Sequence, residues 1–343
     1  MQLSKFKEFY PIVLIMVFLG LLLIPLRTLS FDAHDFESSF YPRSRLIALN
    51  ANLHLLLGDH VFPKVLVGER RWLVFTGEND LDDYQKTRSF TEAELAQFQQ
   101  NLDALSTLYA ERGITLLVIV PPNKNTIYPE QVPGEIHVSG RASMLDQVTT
   151  FLREHGHTQI IDLRSALMVE KSKHQVYYST DTHWNGYGAY LAYSALMNEI
   201  SKSYPQLKAH PIIDFKVKAG QPEILDLSRN MGVTLLKEPK IQLFPLYDLR
   251  ANFKSIDLGA RQLMFSHISD PTLPNLVLYY DSFFFTVIPL LSEHFNNGVY
   301  VQNFSGGGLW NLSWVDEREP DVVIIEFSER YLDALARFII PNR

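Results

Sequence analysis

The sequence contains no cysteine, which excludes disulfide stapling, thiolate catalysis and cysteine-ligated metal, and leaves the redox compartment open. It also lacks a surplus of positive charge. Lys and Arg number 31 against 38 Asp and Glu, a formal net charge of -7, whereas a chain that neutralises phosphates would carry a basic surface. No nucleic-acid partner is expected. Internal repeats and low-complexity tracts are missing too, and there is only one long uncharged run. What is there is 343 residues, 46% hydrophobic and 20% charged, enough for a sizeable core and unlike the composition of a disordered chain.

The uncharged run extends from Phe9 to Leu26, eighteen residues between Lys5, Lys7 and Glu8 on one side and Arg27 on the other. As a helix it would cover roughly 27 Å, close to the ~30 Å hydrocarbon core of a bilayer. A cleaved signal peptide would have a shorter apolar region and a small-x-small site, and Arg27-Thr28-Leu29-Ser30-Phe31 offers none. The expected organisation is therefore a cytoplasmic stub and single-pass anchor over 1–30, with residues 31–343 on the far side of the cytoplasmic membrane.

Beyond a connector ending near Arg43, apolar runs alternate with amphipathic stretches. Helical spacing of Leu95, Phe98, Leu102, Leu105, Leu108 and Tyr109 predicts a helix to Arg112, stopped by Gly113, and Ile114 to Val120 reads as a strand covered on both faces. The same reasoning gives helices over 144–155, 185–201 and 282–295, and strands over 159–163, 276–280, 299–304 and 322–327. Such alternation implies an α/β fold with a mostly parallel sheet between helical layers. Between about 205 and 274 the rhythm weakens, and an inserted region of loops and small strands beside the main sheet is expected.

In open parallel sheets ligands bind at the carboxyl ends of strands, so the residues leaving each strand are the ones to inspect. Leu278-Tyr279-Tyr280-Asp281-Ser282-Phe283 brings Ser282 to a strand end and a helix start, where backbone N–H groups favour an oxyanion; Asp281 or Ser282 as a plain helix cap is the other reading. Asp181-Thr182-His183-Trp184-Asn185 puts an acid and an imidazole two positions apart, on one side of an extended segment. That pair can deprotonate a serine and stabilise the resulting cation, or serve as caps or metal ligands. Ser305-Gly306-Gly307-Gly308 allows close approach of backbone N–H groups, and equally a tight turn. Asn123 and Lys124, leaving another strand, are candidates for substrate contact.

Taken together, Asp-x-His-Trp-Asn-x-x-Gly at 181–188, Asp-Ser-Phe at 281–283 and Pro320-Asp321-Val322-Val323-Ile324-Ile325-Glu326-Phe327-Ser328-Glu329-Arg330-Tyr331 resemble the SGNH-hydrolase-like O-acetyltransferases of bacterial exopolysaccharide modification, the alginate acetylation proteins. Trp72-Leu73-Val74-Phe75, and Val120-Pro121-Pro122-Asn123-Lys124 through Tyr128-Pro129, resemble that family as well. The resemblance implies a flavodoxin-like, SGNH-type three-layer domain with the motif order circularly permuted, facing the periplasm from the inner membrane. It implies Ser282 as acetylated nucleophile, His183 as base and Asp181 as its partner, with no cofactor and no metal. Implied partners are a polysaccharide acceptor and a polytopic membrane acyltransferase that donates acetyl. Two departures stand out: Tyr280 replaces the Gly of Gly-Asp-Ser, and the last strand ends in Ser328-Glu329-Arg330-Tyr331 rather than Gly-x-Asn-Asp. Arg330, Tyr331, Gly306 and Gly307 are therefore the oxyanion and substrate candidates, with a structural salt bridge or a cap on the last helix as the other reading of Arg330 and Tyr331. An acetylesterase using the same triad, and a non-catalytic polysaccharide-binding or assembly subunit, remain as alternatives.

Overall fold

The computed structural model describes residues 13, 15–20, 43–257, 262–302 and 313–338, apart from the side chains of 337 and 338. The chain divides into two units, Met1–Asp59 with Gly232–Leu235, and His60–Met231 with Leu236–Arg343. In the first, a helix spans Arg43–Leu56, and its Asn52 side chain donates to Thr234 Oγ1 at 2.8 Å and accepts from the Thr234 N–H at 3.0 Å. Most of the expected span Phe9–Leu26 lies outside the described residues; of it, 13 and 15–20 are helical. Among the described residues no helix is long and apolar enough to cross a membrane.

The second unit opens with a small antiparallel sheet, β1 (Val61–Phe62), β2 (Val65–Val67) and β3 (Leu73–Phe75). Next come β4 (Thr115–Val120) and β5 (Ile160–Asp162), then β6 (Phe215–Glu223) and β7 (Glu238–Pro245), a separate antiparallel ribbon. β8 (Asn252–Asp257), β9 (Gln262–His267), β10 (Leu276–Tyr280), β11 (Asn297–Gln302) and β12 (Val322–Glu326) complete the set. The main sheet has the order β5-β4-β12-β10-β11-β9-β8. Its first five strands run parallel, while β9 and β8 add antiparallel pairs at one edge, so the sheet is mixed.

Strand periodicity sorts the core into two layers. Leu276, Leu278, Tyr280, Val322 and Ile324 point to one face, where Ala189, Ala192, Tyr193, Leu196, Met197 and Ile200 of the helix Gly186–Ser203 cover them. Val277, Tyr279, Val323 and Ile325 point to the other, under Phe98, Leu102, Leu105 and Tyr109 of Glu92–Glu111 and Leu145, Val148 and Leu152 of Met144–His155. The two helices on this second face begin with capping boxes, Thr91 with Glu94 and Ser143 with Asp146, and Gly113 at φ +75° follows the first.

Two expectations change. Residues 282–295 form no single helix but a 3₁₀ turn Ser282–Thr286, one α turn Ile288–Leu291 and a second 3₁₀ turn Ser292–His294. Phe283, Phe284, Phe285, Thr286, Val287 and Ile288 are aromatic or β-branched, and Pro289 has no N–H to extend a helix through it. Within the weakly patterned 205–274 stretch, β8 and β9 join the main sheet itself. β9 pairs along β11 from Leu263↔Val301 to His267↔Asn297, burying Leu263 and Ser266.

Candidate active site

The segment between Tyr177 and Trp184, which pair as an isolated antiparallel bridge, is held by groups from three directions. Lys124 Nζ donates to the carbonyls of Tyr178 and Ser179, both at 3.2 Å, and of Asp181 at 2.6 Å. The Glu238 carboxylate, at the start of β7, accepts from the N–H groups and hydroxyls of Ser179 and Thr180 at 2.9 to 3.0 Å. The Leu73 N–H of β3 donates to Ser179 O at 2.9 Å. Asn185 then caps the following helix, accepting from Tyr187 N–H at 2.9 Å and Gly188 N–H at 3.4 Å. A Cβ on Gly188 would sit 2.5 Å from both Trp184 Cβ and Val176 O, so this position has no room for a side chain. The spacing Trp-Asn-x-x-Gly thus has a packing cause.

This anchoring delivers Asp181 and His183 to Ser282. Asp181 Oδ1 accepts from the His183 N–H at 3.0 Å and lies 2.7 Å from His183 Nδ1, while His183 Nε2 is 2.8 Å from Ser282 Oγ. Trp184 Nε1 donates to Phe283 O at 3.0 Å, tying the acid and base segment to the turn that carries the serine. That turn is itself pinned: Asp281 Oδ1 accepts from Phe283 N–H at 2.9 Å, Asp281 Oδ2 from Ser328 N–H at 3.0 Å, and Glu326 Oε2 from Asp281 N–H at 2.7 Å. Asp281 is a structural cap for the turn. Tyr280 is fully buried in the core at the end of β10, packs edge-on to Phe285 and does not narrow the site.

Sequence reasoning missed Asp226, which lies in the stretch without clear periodicity. Its Oδ1 accepts from Thr182 N–H at 2.9 Å and its Oδ2 from Thr182 Oγ1 at 2.6 Å, and Oδ2 is 3.8 Å from His183 Nδ1. Burial disfavours the His183 imidazolium, but the Asp181 hydrogen bond and charge, with Asp226 behind them, outweigh it and raise the pKa above 6.5. The same contact holds Asp181 well below the usual carboxylate range despite its burial. Asp226 is shifted upward, first by burial and then by the Asp181 charge. Asp181, His183 and Asp226 also bring three possible ligand atoms within 4.8 Å of one another, the one such metal-capable group among the described residues. The short Asp181 contact already occupies the Nδ1 side of the imidazole.

A cavity of about 220 Å³ opens over Ser282 and His183, lined also by Asp226, Asn230, Gln302, Arg330 and Tyr331. Arg330 is 5% exposed, and its Nη1 lies 3.4 Å from Asp80 Oδ2. Its guanidinium sits 5.4 Å from the Phe283 ring centre and 5.5 Å from that of Phe75, while Nε has no hydrogen-bond partner among the described residues. The Tyr331 hydroxyl donates to the Glu78 carboxylate. Asn123 and Lys124 do not line the cavity. Lys124 is buried under three carbonyls, and desolvation brings its pKa down to about 8. The Asn123 N–H donates to Glu329 Oε2 at 2.7 Å. Gly306 and Gly307 lie outside the described residues. A larger cavity of about 640 Å³ runs along β8 and β9 to the amino ends of β10 and β11; no base and nucleophile meet in it, so volume alone does not mark the site.

Residues 65–257 match the family model described as the SGNH hydrolase-like domain of acetyltransferase AlgX. A probable alginate O-acetylase, AlgJ, of Pseudomonas syringae pv. tomato is 29% identical over 161 residues, which cover 46% of this chain and 39% of that protein. The aligned chain thus spans about two fifths of that relative. Among solved structures, Bacillus cereus PatB1 with a sulfonyl adduct superposes with a TM-score of 0.58 at 15% identity, over 80% of this chain and 99% of that one. The O-acetyltransferase domain of Pseudomonas putida AlgJ gives 0.51 at 21% identity, over 82% and 100%. These two likenesses concern the fold.

Proposed function

The chain belongs to the family of the SGNH hydrolase-like AlgX acetyltransferase domain, and from that premise we propose that it is a polysaccharide O-acetyltransferase working through an acetyl-serine at Ser282. The observation that carries this reading is the line of contacts from Asp181 through His183 to Ser282, 2.7 and 2.8 Å long, at the carboxyl end of β10. Nothing in it requires a cofactor.

His183 Nε2 takes the Ser282 proton as Oγ attacks the acetyl carbonyl of the donor, and the imidazolium then protonates the departing group. In the second half His183 removes a proton from a sugar hydroxyl, whose oxygen attacks the acetyl-serine. The ester forms on the sugar, and Ser282 regains its proton from the imidazolium. Asp181 holds the ring in the tautomer that leaves Nε2 free to accept and offsets the charge that develops. Arg330 is a cation lining the cavity, and it takes the role of oxyanion or substrate contact. Gly306, Gly307 and Tyr331 are assigned supporting parts in it.

The likeness to probable alginate O-acetylases supports a polysaccharide acceptor of the alginate type. The proposed organisation keeps residues 1–30 as stub and inner-membrane anchor and 31–343 in the periplasm. Acetyl-coenzyme A is cytoplasmic, so a polytopic membrane acyltransferase is assigned as the donor that carries acetyl across. An esterase with the same triad would send acetyl to water instead, and a binding subunit would move none. The test is to offer the purified protein an artificial acetyl donor and an oligosaccharide. Acetylated sugar that disappears with Ser282→Ala is expected; free acetate alone overturns the transferase reading, and no turnover of either kind favours the binding subunit.

A further inference from the structure

The first unit exposes apolar surface that no described residue covers. In the helix Arg43–Leu56 and the residue after it, Leu46 is 48% exposed, Leu49 66%, Leu53 52%, Leu56 71% and Leu57 72%. At 3.6 residues per turn these five fall within an arc of about 100°. The face across the helix is already in use: Ala51 is buried, Ala48, Asn52 and Leu55 are half-buried, and Asn52 bonds to Thr234. A helix in water would carry polar groups on its free side.

We propose that this leucine stripe lies in the interface of the membrane lipids, with the helix parallel to the bilayer and its leucines among the upper acyl chains. The inference rests on the anchor proposed above. Only 16 residues, 27–42, separate Leu26 from Arg43, a reach of at most ~55 Å, so the helix is tethered close to the bilayer. Arg43 and Arg45, on the tethered end, suit anionic headgroups. Ile15 to Leu19, inside the uncharged run, are likewise helical and 51% to 68% exposed. A second copy fits less well, because Leu46, Leu49, Leu53 and Leu56 make only two heptads, short of the roughly three or four a coiled coil needs.

The absence of cysteine makes the test clean. The full-length chain, carrying a nitroxide at Leu49→Cys, Leu53→Cys or Ser44→Cys, is reconstituted into vesicles of phosphatidylethanolamine and phosphatidylglycerol. Ser44 lies about half a turn from the stripe. Labels at 49 and 53 are expected to relax more with oxygen than with a water-soluble nickel chelate, and the label at 44 the reverse. Nickel access at all three, with the protein still bound to vesicles, overturns the proposal and leaves the anchor standing. Protein left in the aqueous fraction overturns both. Spin–spin broadening at 53 that vanishes on dilution with unlabelled chain assigns the stripe to a second copy and also overturns it.

Discussion

His183 sits beneath two carboxylates at unequal distances, and the difference divides their work. Asp181, at 2.7 Å from Nδ1, fixes the ring, whereas Asp226, at 3.8 Å, acts through its charge while its oxygens are taken up by Thr182. Because the His183 pKa is raised and the base must be neutral to accept a proton, the acid limb of kcat/KM is expected above pH 6.5. Asp226→Asn removes one of the charges that favour the imidazolium. It is expected to move that limb to lower pH and to cost about tenfold or less at the plateau, measured as a pH-rate profile. A limb that stays in place would show that Asp226 does no more than hold Thr182. Asp181, His183 and Ser282 were legible because short motifs announced them; Asp226 was not, since a single acid in an aperiodic stretch carries no signal until the chain folds back on the histidine.

At the scale of the element, the legible part was what local chemistry dictates. Apolar spacing locates Glu92–Glu111 and Met144–His155, and unbroken apolar runs locate β4, β10 and β12. The stretch after Ser282 was misread because an apolar run beginning at a strand exit looks like a buried helix, and only the density of β-branched and aromatic residues with Pro289 argues otherwise. The serine therefore rests on a five-residue 3₁₀ turn fixed by Asp281, Glu326 and Trp184, not on a long helix end. The Asp181 to Gly188 segment is equally dependent on packing. Gly188→Val places its Cβ against Trp184 and Val176, so the cap and the histidine must shift together. A loss of about a hundredfold in kcat/KM is expected, with a Tm lower by roughly 3–10 °C, and Gly188→Ala should fall between the two proteins.

Over the whole molecule, the three-layer architecture followed from alternation, while the edge strands β8 and β9 did not, because antiparallel edge pairing depends on partners distant in sequence. A set of buried acids beside Arg330 was also invisible in the sequence. Burial lifts Asp80 to about 6, Glu329 to about 7 and, with the Glu329 charge added, Asp83 to about 8, against ordinary values of 3.8, 4.5 and 3.8. Folded-state pKa values raised in this way give stability that is complete below about pH 4 and is lost as pH rises through 6 to 8. Asp181, depressed in the fold, works oppositely, and its contribution is lost as pH falls below its ordinary range. Calorimetry across pH 4 to 8 is expected to show a falling Tm whose slope flattens in Asp83→Asn; an unchanged slope would remove Asp83 from the cause. The central claim, an acetyl-serine made by His183 at Ser282, is tested most directly by quenching the donor incubation early and weighing the peptides. One acetyl group on the peptide that contains Ser282, absent in His183→Ala, is the predicted result; turnover with that peptide never modified would contradict the account.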